Sequence, residues 1–454
     1  MKKLLILCIS LLLLVAAGCS SKESAGDGEK KDGKKGKDEI TVWTYPHYQG
    51  NEETGANSYE QDLQALIEDF EKENPDIKVK YEILSWAEGD KKFTTALNAG
   101  NPPDVMFSLL NAKYIQTGLA LPLDEYMNDD ELADMEEYGK LVYTYEDKLW
   151  GIPHYLSVHT WGGNRALLEA AGADVEKIQN EGWTWDEFYE IAKKATQGDT
   201  YGFVTQGQNE ETFTHLLMNN GIRNQVEEDG TFSLGGDKAL ESLKFLAKLR
   251  DEGIMPKETG GIDAAKADEM FNNLQAAIYG RTGPYKINET NQRNADIDAG
   301  KVKGEKIDFV LLPMPHKDGE KESAFGGAGG LMLFKQKNYQ GDEHTANAAK
   351  VLKHLTGTDS GITAATMFLP PALKSGQEKY SDMLQLDTPN GKFIKRYLNS
   401  LTPAAKLTGD LPDKAWKLKT EVVTPNFQSF IIGDATAEET IEAWKKGAES
   451  IGLK

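Results

Sequence analysis

The sequence predicts an α/β fold of mostly parallel sheets covered by helices. Three observations carry this reading. From residue 39 onward, short apolar runs rich in β-branched and aromatic residues alternate with amphipathic helical patterns. Strands separated by a helix pair in parallel, because the intervening helix is the crossover that parallel neighbours require. The chain has 454 residues and only two cysteines, so it is long enough to form two or three domains held by apolar cores alone.

The elements follow in order. "ITVWTY" (40–45) is an apolar, β-branched strand. From Tyr59 the spacing of Leu63, Leu66, Ile67 and Phe70 is helical, and Asn74-Pro75 ends it. "IKVKYEIL" (77–84) alternates apolar and polar residues as a second strand. "FTTALNAG" (93–100) is a short helix closed by Gly100, and "DVMFSLL" (104–110) is a buried strand. "LWGIPHYLSVHTWGGN" (149–164) is extended, and "RALLEAAG" (165–172) is a helix stopped by Gly172. Thr184 with Glu187, and Thr436 with Glu439, have the spacing of capping boxes that open helices. "ALESLKFLAKLRDEG" (239–253) is an amphipathic helix. "AAIYG" (276–280), "IDFVLLP" (307–313) and "GGLMLFK" (329–335) are strands, and 435–452 is a closing helix. Trp183, Trp185, Trp416 and Trp444 are read as packing residues.

The N-terminus has a different grammar. Met1-Lys2-Lys3 is a cationic head, and residues 4–17 are nearly all apolar but too few to span a bilayer. Ala16-Ala17-Gly18-Cys19 supplies small residues before a thiol. This describes an export signal over residues 1–18, and it resembles a bacterial lipobox with Cys19 as the lipidated residue. Ala16 departs from the leucine usual at that position. An ordinary secretory signal with an incidental cysteine is the competing reading. Cys8 would leave with the signal. Two acyl chains on Cys19 would anchor the protein stably. Residues 19–38, mostly Ser, Lys, Gly, Asp and Glu, have nothing to bury and read as a disordered tether.

The formal net charge of −21 argues against a nucleic-acid binder, which needs basic patches. No G-x-S-x-G, H-E-x-x-H or P-loop signature is present. His154 and His159 fall on opposite faces of an extended segment and do not form a metal pair. The glycine-rich run 325–332, with Gly327 at its centre, lets backbone approach a ligand at a strand start and lacks phosphate-cradling spacing. No cofactor and no metal are expected.

Six segments in order resemble the extracellular solute-binding proteins of ABC importers, family 1, the maltose-binding-like group. They are "ITVWTY", "FEKENPDIKVKYE", "ALNAGNPPDVMF", "GIPHYLSVHTWGGNRALLEAAG", "WTWDEFYEIAKKAT" and "AAIYGRTGPYKI". The resemblance implies a two-lobed, type II periplasmic-binding-protein-like fold, each lobe a mostly parallel sheet flanked by helices, joined by crossing hinge strands. It implies an N-terminal lobe of 39–154 plus 314–360 and a C-terminal lobe of 155–313 plus 361–454, with crossings near Pro153–Tyr155, Leu312–Pro313 and 355–370. A mono- or oligosaccharide would bind in the cleft, and hinge closure would present it to the permease subunits of the transporter. The protein would act as a monomer on the outer face of the bacterial cell membrane, held through its lipid. Sugars need flat aromatic faces and hydrogen-bonding side chains. The candidates at strand ends are Trp43, Tyr45, Trp86, Asp104, Ser108, Tyr155, Trp161, Arg281, Tyr285 and Gly327. Core packing would equally account for Trp43, a turn cap for Asp104 and a carboxylate partner for Arg281. Two other classes stay open: an exported carbohydrate-active enzyme such as a glycoside hydrolase, and a binding protein for a non-sugar solute.

Overall fold

A computed structural model describes residues 36–454 apart from Glu52 and Ala87. The signal segment, Cys19 and the tether as far as residue 35 lie outside the described residues. Two sheets organise the described chain. The first contains β1 (Asp38–Thr44), β2 (Ile77–Ile83), β3 (Val105–Phe107) and β4 (Ala120–Leu121), with β5 (Gly151–Val158) joining late. The second contains β6 (Thr160–Asn164), β7 (Tyr201–Val204), β8 (Ala276–Thr282) and β9 (Phe309–Leu312). The last strand, β10 (Gly326–Phe334), returns to the first sheet. The strand orders are β2-β1-β3-β10-β4, with β5 on β10, and β9-β6-β8-β7.

The pairings β1–β2, β1–β3 and β7–β8 are parallel. Strands that arrive from the other sheet pair antiparallel: β10 with β3, β4 and β5, and β6 with β8 and β9. The parallel pairs are those joined by helical crossovers. They are three against five antiparallel pairings, so the two sheets are mixed rather than mostly parallel as the sequence led one to expect, because the crossing strands enter them in the opposite direction.

Local chemistry sets the helices. In α1 (Tyr59–Glu73), Leu63, Ile67 and Phe70 are buried at helical spacing. The helix α2 (Gly89–Ala99) ends on Gly100 at φ 78°, a left-handed conformation that glycine adopts without a Cβ penalty. The expected capping boxes form at both sites. Thr184 and Glu187 open α3 (Trp185–Ala195), and Thr436 and Glu439 open the last helix, Ala437–Ile451. Between them, α4 (Glu211–Met218) and α5 (Asp237–Asp251) pack on each other and add Phe213, Leu216, Leu243 and Leu246 to the second core, α6 (Tyr285–Asp298) packs on β9, and α7 (Asp342–Leu355) packs on the first sheet.

The first core gathers Ile40, Val42, Phe70, Phe93, Met106, Leu156, Leu331 and Leu352. The second gathers Trp161, Phe188, Phe203, Leu243, Ile278, Leu312 and Trp444, and an adjoining cluster holds Val158, Tyr279, Phe309 and Tyr397. Leu156 therefore belongs to the first half and Val158 to the second, so β5 is itself a crossing strand. The return differs from the sequence expectation near Leu312–Pro313. Met314 and Ala324 still pack with the second half, and Ala328 is the next residue in the first core. The third passage lies beyond Ala372, the last residue of the first core, rather than at 355–370. Asp38 was expected in the tether. It instead begins β1, because His344 and Asn347 of α7 bind its carboxylate.

Candidate binding cleft

Where β5 and β10 pass from one half to the other, they run side by side. Gly327 faces Ser157 and Gly329 faces Tyr155 in register, and the His159 amide donates to the Phe325 carbonyl at 2.8 Å. Side chains alternate along a strand, so Tyr155, Ser157 and His159 share a face. At a strand's rise, Tyr155 and His159 are about 13 Å apart. Gly327 leaves this surface open: a Cβ there would meet nothing within 4 Å. Gly329 is required by close approach, since a Cβ there would sit 2.6 Å from the Tyr155 ring and 2.7 Å from Phe107.

On the first half, the loop after β1 builds an aromatic wall. Trp86 lies flat on Tyr45, with ring centroids 4.3 Å apart and planes at 15°. Its Nε1 donates to the Pro46 carbonyl at 2.9 Å, which fixes the indole. Trp86 is 58% exposed and Tyr45 2%. His47 inserts edge-on between Tyr59 at 4.8 Å, Phe107 at 4.7 Å and Tyr155 at 5.7 Å. Burial, reinforced by His154, lowers the His47 pKa to about 3 and keeps the ring neutral.

On the second half, the wall is polar. Arg281, near the end of β8, donates Nε to Glu211 Oε2 at 2.7 Å, and His159 Nδ1 lies 2.9 Å from Glu211 Oε1. Burial acts to raise the Glu211 pKa, but His159 and Arg281 outweigh it and hold it at about 2. Tyr285, the first residue of α6, is 37% exposed. It stands beside Gly283, where a Cβ would lie 3.0 Å from the Tyr285 ring and 3.3 Å from the Val158 carbonyl. An apolar ring surface on one half, a hydrogen-bonding surface on the other and an open glycine floor between them suit a ligand with both apolar faces and hydroxyl groups.

The model for bacterial extracellular solute-binding proteins matches residues 56–362. The chain belongs to the bacterial extracellular solute-binding protein family. A binding protein of Brucella abortus is 25% identical over 395 residues, covering 84% of this chain and 87% of that one. The arabinooligosaccharide-binding protein of Bacillus subtilis is 24% identical over 278 residues, 59% of this chain and 58% of that protein. The solved maltose/maltodextrin-binding domain MalE of Bdellovibrio bacteriovorus, bound to maltotriose, superposes with a TM-score of 0.69. That alignment is 21% identical and covers 91% of this chain and 99% of that domain. The two-lobed type II fold expected from the sequence is thus the fold of this solute-binding protein.

Within it, the ten residues singled out from the sequence separate into distinct environments. Trp86, Gly327, Arg281 and Tyr285 stand on the walls and floor described above. Tyr155 is 9% exposed and packs in the first core, so its ring offers no open stacking face. Ser108 follows β3 half-buried, its Oγ donating to the Leu109 carbonyl. Tyr45 lies beneath Trp86, its hydroxyl donating to Asp90, so the exposed ring of that pair is the tryptophan. Three residues lie elsewhere. Trp161 is fully buried between Phe188 and Phe203, because β6 points it into the second core. Asp104 sits at the start of β3, where it accepts from the Thr41 amide and hydroxyl at 2.8 and 2.7 Å and meets His344 at 3.1 Å. It ties β1, β3 and α7 together. Trp43 projects beneath Lys92, whose ammonium is 4.8 Å from its ring. Trp183, Trp185 and Trp444 are buried as expected, whereas Trp416 is 57% exposed.

Sequence reading missed His47, Ser157, Glu211, His215 and Phe325. A signal existed for two of them: Glu211 and His215 are four apart on a helix, hence on one face. The others become neighbours only through the strand crossings.

Proposed function

We propose that this solute-binding protein is the lipid-anchored capture component of an ABC importer. It takes up a sugar or oligosaccharide between its halves, closes by hinge motion and delivers it to the permease. The exposed, rigidly held Trp86 face carries this reading. An indole locked by a backbone hydrogen bond and a stacked tyrosine offers a flat platform for the C–H face of a pyranose at little entropic cost. Arg281, Tyr285 and Ser108 would contact hydroxyls, with Gly327 admitting the ligand to the floor. The relative named for arabinooligosaccharide supports the sugar class. The hinge segments are assigned to 156–158, 324–328 and the chain beyond 372. Among the described residues no helix is long and apolar enough to cross a membrane. Lipid on Cys19, after the small residues Ala16-Ala17-Gly18, holds the protein on the extracytoplasmic side. The protein binds without turnover and acts as a monomer.

A thermal-shift screen across mono- and oligosaccharides, followed by calorimetry on the hits, tests the proposal. A ligand at a hundred times its Kd stabilises by about 2.7 kcal/mol. One-to-one binding with unchanged sugar is expected, and Tyr285→Ala should weaken it with little loss of stability. Accumulating hydrolysis product would favour the glycosidase reading. A screen in which only non-sugar solutes raise the melting temperature would overturn the sugar assignment.

A further inference from the structure

Three donor groups meet where β5 enters the second half. Glu211 and His215 stand one helical turn apart on α4 and project from the same face. His159, at the end of the crossing strand, reaches them, and the ligand atoms of all three lie within 4.8 Å of one another. His215 is wholly buried; the Gly280 backbone lies beside its ring, and neither ring nitrogen makes a well-aligned hydrogen bond among the described residues.

The convergence of three donor side chains separates this cluster from an ordinary packed histidine. A buried polar group without a well-formed hydrogen bond is costly, and native interiors rarely keep one without a use. Phe325 flanks both imidazoles, at 4.9 Å from His159 and 5.6 Å from His215, and offers no acceptor. The His159 and Glu211 side chains keep 26% and 18% of their surface exposed, which leaves a path of entry.

We propose that His159, Glu211 and His215 form a binding site for a divalent transition-metal cation of the zinc class. Two imidazole nitrogens and one carboxylate oxygen are a donor set that suits Zn²⁺, with a fourth position left for water. Metal–ligand distances of about 2.0–2.1 Å bring the donors to within about 3.3 Å of each other. The site therefore contracts on binding, through the two partly exposed side chains. The metal replaces the His159–Glu211 contact. Arg281 stays on the other carboxylate oxygen and orients Glu211 as an outer partner. Its positive charge opposes the cation, so affinity is micromolar rather than nanomolar. This inference stands independently of the sugar assignment.

The test is calorimetric titration of the full, EDTA-treated chain with ZnCl2 in the absence of sugar, with MgCl2 as the control. One equivalent of zinc is expected at micromolar Kd, with no magnesium binding. His159→Ala, at a partly exposed position, should weaken zinc at least tenfold while the melting temperature of the metal-free protein holds. His215→Gln should do the same, with folding checked by circular dichroism. No cysteine is altered in any variant, so binding at a thiol would survive these substitutions. Absence of saturable zinc binding, or undiminished binding by His159→Ala, would overturn the proposal.

Discussion

Tyr155 lies across Gly329, its partner in the β5–β10 pairing, so closely that a single added carbon would collide with its ring. Two positions along β10, Gly327 faces open space instead. One glycine is there for packing and the other for access, although both belong to the same run of sequence.

Substitution at the two should therefore diverge. Gly329→Ala is expected to destabilise the fold by about 1–3 kcal/mol, as overpacking does, read as a lower urea midpoint. Gly327→Ala should leave that midpoint unchanged and lower ligand affinity, because its methyl enters the floor. Equal destabilisation by both would contradict the assignment.

Trp86 gives the sharpest test of the binding wall. Trp86→Ala should weaken sugar binding about tenfold or more, equivalent to ~1.4 kcal/mol. The fold should lose no more than about 1 kcal/mol, for uncovering Tyr45. Trp161→Ala should do the reverse. Emptying a core site costs about 3–5 kcal/mol, and any effect on affinity would follow from unfolding.

The Asp38–His344–Asp104 network predicts a pH dependence. Burial disfavours the His344 charge, but hydrogen bonds to Asp38 and Asp104 outweigh it and raise its pKa above 6.5. Its contribution is complete below pH 6.5 and is lost as pH rises through the raised value. Burial likewise opposes the Asp38 charge. Asn347 and His344 prevail and hold its pKa below 3.8, so its contribution is lost only as pH falls through that lowered value. The melting temperature of His344→Asn should fall furthest below wild type near pH 6. The gap should narrow toward about pH 9. A constant gap would mean that His344 does not change protonation state across that range.

A contact between the halves should prove minor. Lys113 bridges Asp413 at 2.7 Å with its ammonium 5.7 Å from the Trp416 ring, and Gln116 donates to the Gly409 carbonyl. Lys113 and Asp413 are both well exposed, and such pairs contribute about 0.2–1 kcal/mol. Lys113→Ala should change sugar affinity by no more than about fivefold, with the difference vanishing at high salt. A larger, salt-insensitive change would mean that the contact controls closure.

Much of this protein follows from local sequence. The strand at Ile40, the helix of Leu63, Ile67 and Phe70, both capping boxes and the Gly100 stop depend on residues a few positions apart, and a period of two or 3.6 reports them directly. The family pattern likewise rests on the order of such segments. Tertiary structure alone decided which aromatic rings reach the cleft. Trp86 and Trp161 both stand near strand ends, yet one covers Tyr45 at the surface and the other fills a core. It also brought His159 to Glu211 and His215, and Asp104 to His344. These neighbours are far apart along the chain. Their meeting depends on where the crossing strands pass between the two sheets, and no short-range periodicity encodes that.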